Sequence, residues 1–241
     1  MSTSYQRSTN FRAYNGARLL ADLAHVGVDV PDEVTDANTV LTTLADRAKQ
    51  SPTPGVHRQA LVAQLLADPD TDVAAGIVAE ATAPDLTNLY TEAADQARAA
   101  LTRTLYTHAD TIVADLDSTV FTPAVDALTH LATTSGPTDT TTSLLQAGNT
   151  TAARLLADAP VQAATILHAY RLRDRLYHGS DIEKLSHRRW RNPDTLDLET
   201  TDNTADYYLA GLRQGGQLWL GTYTQVYDAS RTTAPQPLTA A

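Results

Sequence analysis

The stretch LTRTLYTHADTIVADLDSTV, residues 101–120, sets Leu101, Leu105, Ala109, Ile112, Leu116 and Val120 at steps of three and four. That spacing returns apolar side chains to one face of an α-helix, whereas a half-buried strand needs alternation every second residue. Upstream, Pro84-Asp85 reads as the start of this long helix, with an acidic residue in its first turn favoured by the macrodipole. Downstream, Pro123 opens another helix carrying Val125, Leu128 and Leu131.

The same period recurs along the rest of the chain. Residues 10–25 place Leu19, Leu20 and Leu23 on one face, and Gly27 and Pro31 stop that helix. Thr35 and Asp36 offer N-caps for a helix through Val40, Leu41, Leu44 and Ala48. Ser51 to Gly55 (SPTPG) is a loop, and Leu61, Val62, Leu65 and Leu66 form a short apolar face closed by Pro69. Asp72 caps a short helix through Ile77 and Val78. Later helices are expected at 143–158, 160–178, 181–189 and 204–230, with a polar loop at 190–203. Sustained period-2 alternation is missing, so the expected fold is all-α, a bundle or irregular array of about eight to ten helices.

Ser135 to Thr142 (SGPTDTTT) is polar and unpatterned, and is the expected linker between helical regions 1–134 and 143–231, with 232–241 as a tail. One compact domain is an equal alternative at this length. The tetrapeptides Leu19–Asp22, Leu65–Asp68, Ile112–Asp115 and Leu155–Asp158 recur at steps of 43–47 residues, within the range of two-helix repeats, though their flanks do not repeat.

With 241 residues the chain can bury about 70–75% of its unfolded surface without disulfides. Ala (39) and Thr (36) supply nearly a third of it, Asp outnumbers Glu 23 to 5, and Arg outnumbers Lys 16 to 2, a usage that GC-rich genomes favour. The absence of cysteine removes thiolate metal sites and cysteine nucleophiles. No apolar run reaches the length of a membrane span, and the start of the chain lacks the apolar core of a secretory signal. A net charge of −10 opposes wholesale coating of nucleic acid but permits a local basic patch.

That patch is residues 168–191, where seven Lys and Arg face three acids. His168, Arg171, Arg175 and His178 fall within one helical stripe, and Arg188, Arg189, Trp190 and Arg191 follow a Gly179-Ser180 break. Guanidinium forks suit phosphate or carboxylate, and Trp190 could stack a base or an arginine, so these eight residues are the candidate anion- or partner-binding set. The bland reading is that the arginines pair with this chain's many aspartates.

Near the C-terminus Gly211, Gly215 and Gly216 interrupt a helix bearing Tyr207, Tyr208, Trp219, Tyr223 and Tyr227. Those aromatics are the candidate interface, with a private core as the equal alternative.

Asp115-Leu-Asp117-Ser-Thr119, after Ile112-Val-Ala, resembles the first motif of haloacid-dehalogenase-type phosphatases. The resemblance implies a parallel α/β domain, Asp115 as nucleophile, Asp117 as acid/base, Thr119 as a positioning group and Mg²⁺ on the phosphate. It covers about eight residues; no Gly-Asp dipeptide supplies the usual metal motif, and Lys184 is the only later lysine.

The leading expectation is a non-enzymatic helical structural or assembly protein, with no catalytic residues, metal or cofactor. It is expected to form a homo-oligomer or bind other protein subunits, in the cytoplasm or in a bacteriophage virion or head-assembly complex of a high-GC host. A nucleic-acid- or anion-binding regulator using 168–191 and a Mg²⁺-dependent phosphatase are the alternatives.

Overall fold

The computed structural model describes residues 16–50, 62–64, 66, 74–177, 189–198 and 204–232, with backbone path alone for 74–87 and 230–232. Nine α-helices lie among the described residues: α1 Gly16–His25, α2 Asp32–Gln50, α3 Ala74–Thr107, α4 Ala109–Leu116, α5 Thr122–Thr134, α6 Thr141–Gln146, α7 Thr150–Leu176, α8 Thr204–Arg213 and α9 Tyr223–Thr232. A π-helical turn, Asp117–Phe121, joins α4 to α5. The only pairing of extended chain among the described residues is a single antiparallel bridge, Trp190 with Leu218. The fold is all-α.

Two compact units form, Pro31–Leu105 on one side and Met1–Val30 with Tyr106–Ala241 on the other. The segment 135–142, expected as a linker, lies inside the second unit. There it is well tied: Ser135 is buried, Gly136 donates to Asp139 at 2.7 Å, and Thr140 and Ser143 form a reciprocal capping box for α6.

In that second unit α7 is the central element, packing on α1, α4, the π-turn, α5, α6 and α8. Its inner face carries Ala153, Ala159, Ala163, Ile166, Ala169, Leu172 and Leu176, whose small side chains early in the helix allow close approach of its neighbours. The helix runs unbroken through Pro160, where a break was expected. Proline removes one intrahelical hydrogen bond, but Pro160 is exposed, and burial of Ala159, Ala163 and Ile166 holds both sides of it together. The break falls earlier, at Gly148 (φ 76°), where the N–H groups of Gly148 and Asn149 close onto Leu145 (3.0 Å) and Leu144 (2.8 Å). The left-handed glycine there ends α6 as a Schellman cap, and the Asn149 side chain caps α7 three residues on.

The diagnostic stripe is buried as its spacing predicts at Leu101, Leu105, Ala109, Ile112 and Leu116. It does not continue to Val120. The wider π-turn rotates the register so that Phe121 enters the core instead, meeting Tyr170 edge-to-face at 5.2 Å.

Three other boundaries differ from expectation. The helix after Pro31 begins at Asp32, with Asp32 and Glu33 in its first turn, rather than at Thr35. Pro84 sits inside α3 instead of opening it, carried by alanine-rich flanks of high helix propensity. The expected 204–230 helix is two helices, parted after Gly215 (φ 81°). The three described tetrapeptide echoes all lie in helices, at different places along them. Leu19–Asp22 is in α1, Ile112–Asp115 in α4 and Leu155–Asp158 mid-α7, while Leu65–Asp68 lies largely outside the described residues, as do the expected Ser51–Gly55 loop and 181–189 helix.

Candidate functional site

The best-formed polar and aromatic assembly lies where residues 189–198 meet the chain leaving α8. Arg191 donates its N–H to the Gln217 carbonyl at 2.8 Å and Trp219 to that of Arg189 at 3.3 Å, framing the Trp190–Leu218 bridge. Asn192 extends the clasp, donating to Gly215 and accepting from the Gln217 N–H at 3.0 Å, while Gln214 and Asp197 exchange two bonds at 2.7 and 2.8 Å. From α7 the Tyr170 hydroxyl is directed between the Arg189 and Trp219 carbonyls, at 3.1 and 3.2 Å. Burial holds that phenol neutral far beyond its ordinary range, with Tyr208 adding to the shift.

The clasp exists to seat Trp190, which is only 4% exposed. Its indole lies against Gly211 and Gly216, where any Cβ would stand 2.4 and 2.7 Å from ring carbons. Its N–H donates to the Tyr207 hydroxyl at 3.1 Å. Of the glycines expected to interrupt the helix, Gly211 stays inside α8 and admits the Trp190 ring, while Gly215 turns the chain.

The candidate interface aromatics are therefore largely internal. Tyr208 and Trp219 are buried, Tyr207 and Tyr223 are half-buried, and only Tyr227 is exposed. Tyr223 stacks on Tyr227 and approaches Tyr177, whose hydroxyl bonds Asp110. Desolvation raises the Tyr177 phenol strongly, and the Asp110 bond adds to it. Tyr208 is raised by burial too, opposed by Arg189.

The basic candidates separate in the same way. Arg175 reaches Asp22 of α1 at 2.5 Å, and half-buried His168 adds its field to that pairing, so the stripe clamps α1 to α7. The hydrogen bond from Arg175 holds the Asp22 carboxyl below the usual range. Arg189 contacts the Tyr208 hydroxyl at 3.4 Å and lies 5.8 Å over Tyr170. Trp190, being buried, offers no face to a base. Arg171 and Arg191 remain exposed, and His178 and Arg188 lie outside the described residues.

Arg173 was not among the candidates, yet it is the most buried charge described, at 2% exposure. It sits over Tyr170 at 5.1 Å and holds Asp174 Oδ1 at 2.8 Å through Nη2, while Nη1 has no partner among the described residues. Its signal was in the spacing: Ile166, Tyr170, Arg173 and Tyr177 recur at three to four residues along the core face.

Asp115 and Asp117 do not stand at the end of a strand, as the phosphatase resemblance requires. Asp115 lies in the last turn of α4 and accepts the Asp29 N–H at 2.8 Å; Asp117 opens the π-turn and accepts from Thr122 at 3.3 Å. Asp115 thus holds the backbone of a distant segment, and Asp117 holds a neighbouring side chain. Desolvation raises Asp117, against the Thr122 bond and the Arg191 charge. No cluster of three potential metal ligands occurs among the described residues, and none of their helices is long and apolar enough to cross a membrane.

Beside the clasp lies an open groove of about 500 Å³, lined by Trp190, Arg191, Trp219 and the α9 residues Gln225, Asp228 and Ala229. The Arg191 guanidinium stacks 5.1 Å over the Trp219 ring. Comparison of the chain with family models, curated proteins and solved structures yields no match, so the reading of this site rests on its own geometry.

Proposed function

We propose that this chain is a helical structural or assembly protein that acts through protein–protein contacts, with its Pro31–Leu105 unit as a self-association surface. The observation that carries the reading is the apolar surface that described residues of that unit leave open to solvent. Helix α2 is 19 residues long yet buries only Val34 and Leu41. Val40 on α2 is 54% exposed, Leu89 on α3 is 60% exposed and Leu66 is 82% exposed. At about 25 cal/mol per Å² of apolar surface removed from water, covering such side chains is a direct driving force for association. A single exposed leucine needs no explanation, but Val40, Leu66 and Leu89 together in one unit support reading it as a contact surface. A second copy of the chain supplies the same face, and a self-complementary patch closes as a symmetric dimer.

Val40→Asp and Leu89→Asp test the assignment, since both positions are exposed and a charge there leaves the fold intact. The expected result is loss of self-association in sedimentation velocity with an unchanged helical circular-dichroism spectrum. A chain that stays multimeric with both substitutions present would refute this surface.

A further inference from the structure

The groove beside the clasp belongs to the other unit and has a chemistry of its own. Three of its lining side chains offer hydrogen-bond donors. Arg191 is exposed and makes no ion pair among the described residues; its guanidinium lies 5.1 Å over the Trp219 ring, and its charge also reaches Asp117. Trp219 is more than nine-tenths buried, and its indole N–H has no acceptor among the described residues. Indole nitrogen can only donate, and a buried donor without a partner is costly, so an acceptor arriving here relieves a standing penalty. Gln225 uses its amide oxygen to cap the Thr222 N–H at 3.0 Å, and its NH₂ has no acceptor among the described residues. Of the carboxylates nearby, Asp228 already has an interaction partner, and Asp117 accepts from Thr122 while it feels the Arg191 charge without pairing with it.

We propose that this groove is a carboxylate-binding site, in which the Arg191 fork takes the two oxygens and the Trp219 and Gln225 donors complete their coordination. A planar guanidinium matches a carboxylate in bidentate fashion, and its stacking on Trp219 fixes the fork in place before the ligand arrives. A nucleic-acid backbone fits less well. Among the described residues Arg175 is consumed by Asp22 and Arg173 is buried, and only an edge of Trp190 borders the groove, which leaves Arg171 and Arg191 as the exposed arginines of 168–191. The carboxylate can come from a free organic acid or from an acidic residue of a polypeptide.

The chain's two tryptophans both line the groove, so its whole indole fluorescence reports on this site. Full-length protein is titrated with sodium acetate and with an end-blocked peptide of alternating Asp and Gly, against the same peptide with Asn for Asp. The expected result is a saturable emission change with the Asp peptide, weakened by added salt and absent with the Asn peptide. Arg191→Gln lowers its affinity at least tenfold, Trp219→Phe lowers it several-fold, and Asp228→Asn raises it by removing a like charge. Saturation by acetate as well identifies a free carboxylate as sufficient; response to the peptide alone identifies a polypeptide ligand. No saturable change up to millimolar Asp peptide, equal response to the Asn peptide, or unaltered affinity in Arg191→Gln would each overturn the proposal. None of these readouts depends on whether residues 31–105 self-associate.

Discussion

Replacing Gly211 by alanine should destabilise the protein, although alanine is the better helix former. A Cβ at that position stands 2.4 Å from two carbons of the Trp190 ring. Favourable carbon contacts lie at about 3.5–4.0 Å, so the indole must retreat by about 1 Å or more. Gly216 lies along the Cζ3 edge of the same ring with too little space even for a Cβ, and Tyr207 holds its N–H at 3.1 Å, so retreat is not free. Overpacking of this kind costs about 1–3 kcal/mol and the strained indole bond about 1 kcal/mol more, while the gain in helix propensity returns about 1 kcal/mol. The net is a loss of about 2 kcal/mol, or about 4–8 °C in Tm for a chain of this size. Thermal melts followed by circular dichroism measure it, with tryptophan emission shifting to the red as Trp190 loses its seat. Gly136→Ala is the control: its Cβ meets Asp139 at an ordinary 3.6 Å and should change stability by less than about 0.5 kcal/mol. In a Trp190→Leu background the Gly211→Ala cost should vanish, since nothing then fills the space. A Gly211→Ala protein as stable as the parent would refute the account of the clasp.

Other expectations follow from the same packing. Pro160→Ala restores an intrahelical bond at an exposed site in α7 and should raise stability by about 1–3 kcal/mol in denaturant titration. Tyr170, Tyr177 and Tyr208 all have raised phenol pKa values in the fold. Their stabilisation is therefore complete below the ordinary tyrosine value of about 10 and declines as pH rises above it, because the unfolded chain ionises first. Tyrosinate absorbance for these three should rise only as the helical signal collapses. Asp22 has the opposite sign: its pairing with Arg175 contributes above the ordinary carboxylate value of about 3.9 and is lost as pH falls through its lowered value. Carboxyl NMR should place the Asp22 midpoint below that value, and Arg175→Gln should return it there.

Much of the fold was legible because helical periodicity is a local property. Leu101 to Leu116 repeats its apolar step through four turns, and Gly27 ends α1 where a left-handed residue was expected. Boundaries at proline were misread because proline weakens a helix without forbidding it. Pro84 and Pro160 both lie in helices that neighbouring alanines and tertiary burial sustain. The π-turn at Asp117–Phe121 was invisible, since it changes register without any distinctive residue. The site was legible as a collection and not as an arrangement. Arg175 and Trp190 were visible as chemistry, but their partners, Asp22 and the Gly211–Gly216 cradle, are far along the chain or carry no side chain to notice. Arg173 was passed over because a charge on an apolar stripe reads as an interruption, whereas Asp174 and the Tyr170 face make its burial tolerable.

The central claim, assembly through the under-covered helices of residues 31–105, is tested most directly by light scattering behind size-exclusion chromatography on the wild-type chain over a micromolar dilution series. The account predicts a molar mass at an integer multiple of 25.9 kDa that falls toward the protomer on dilution. A constant 25.9 kDa at every concentration would contradict it.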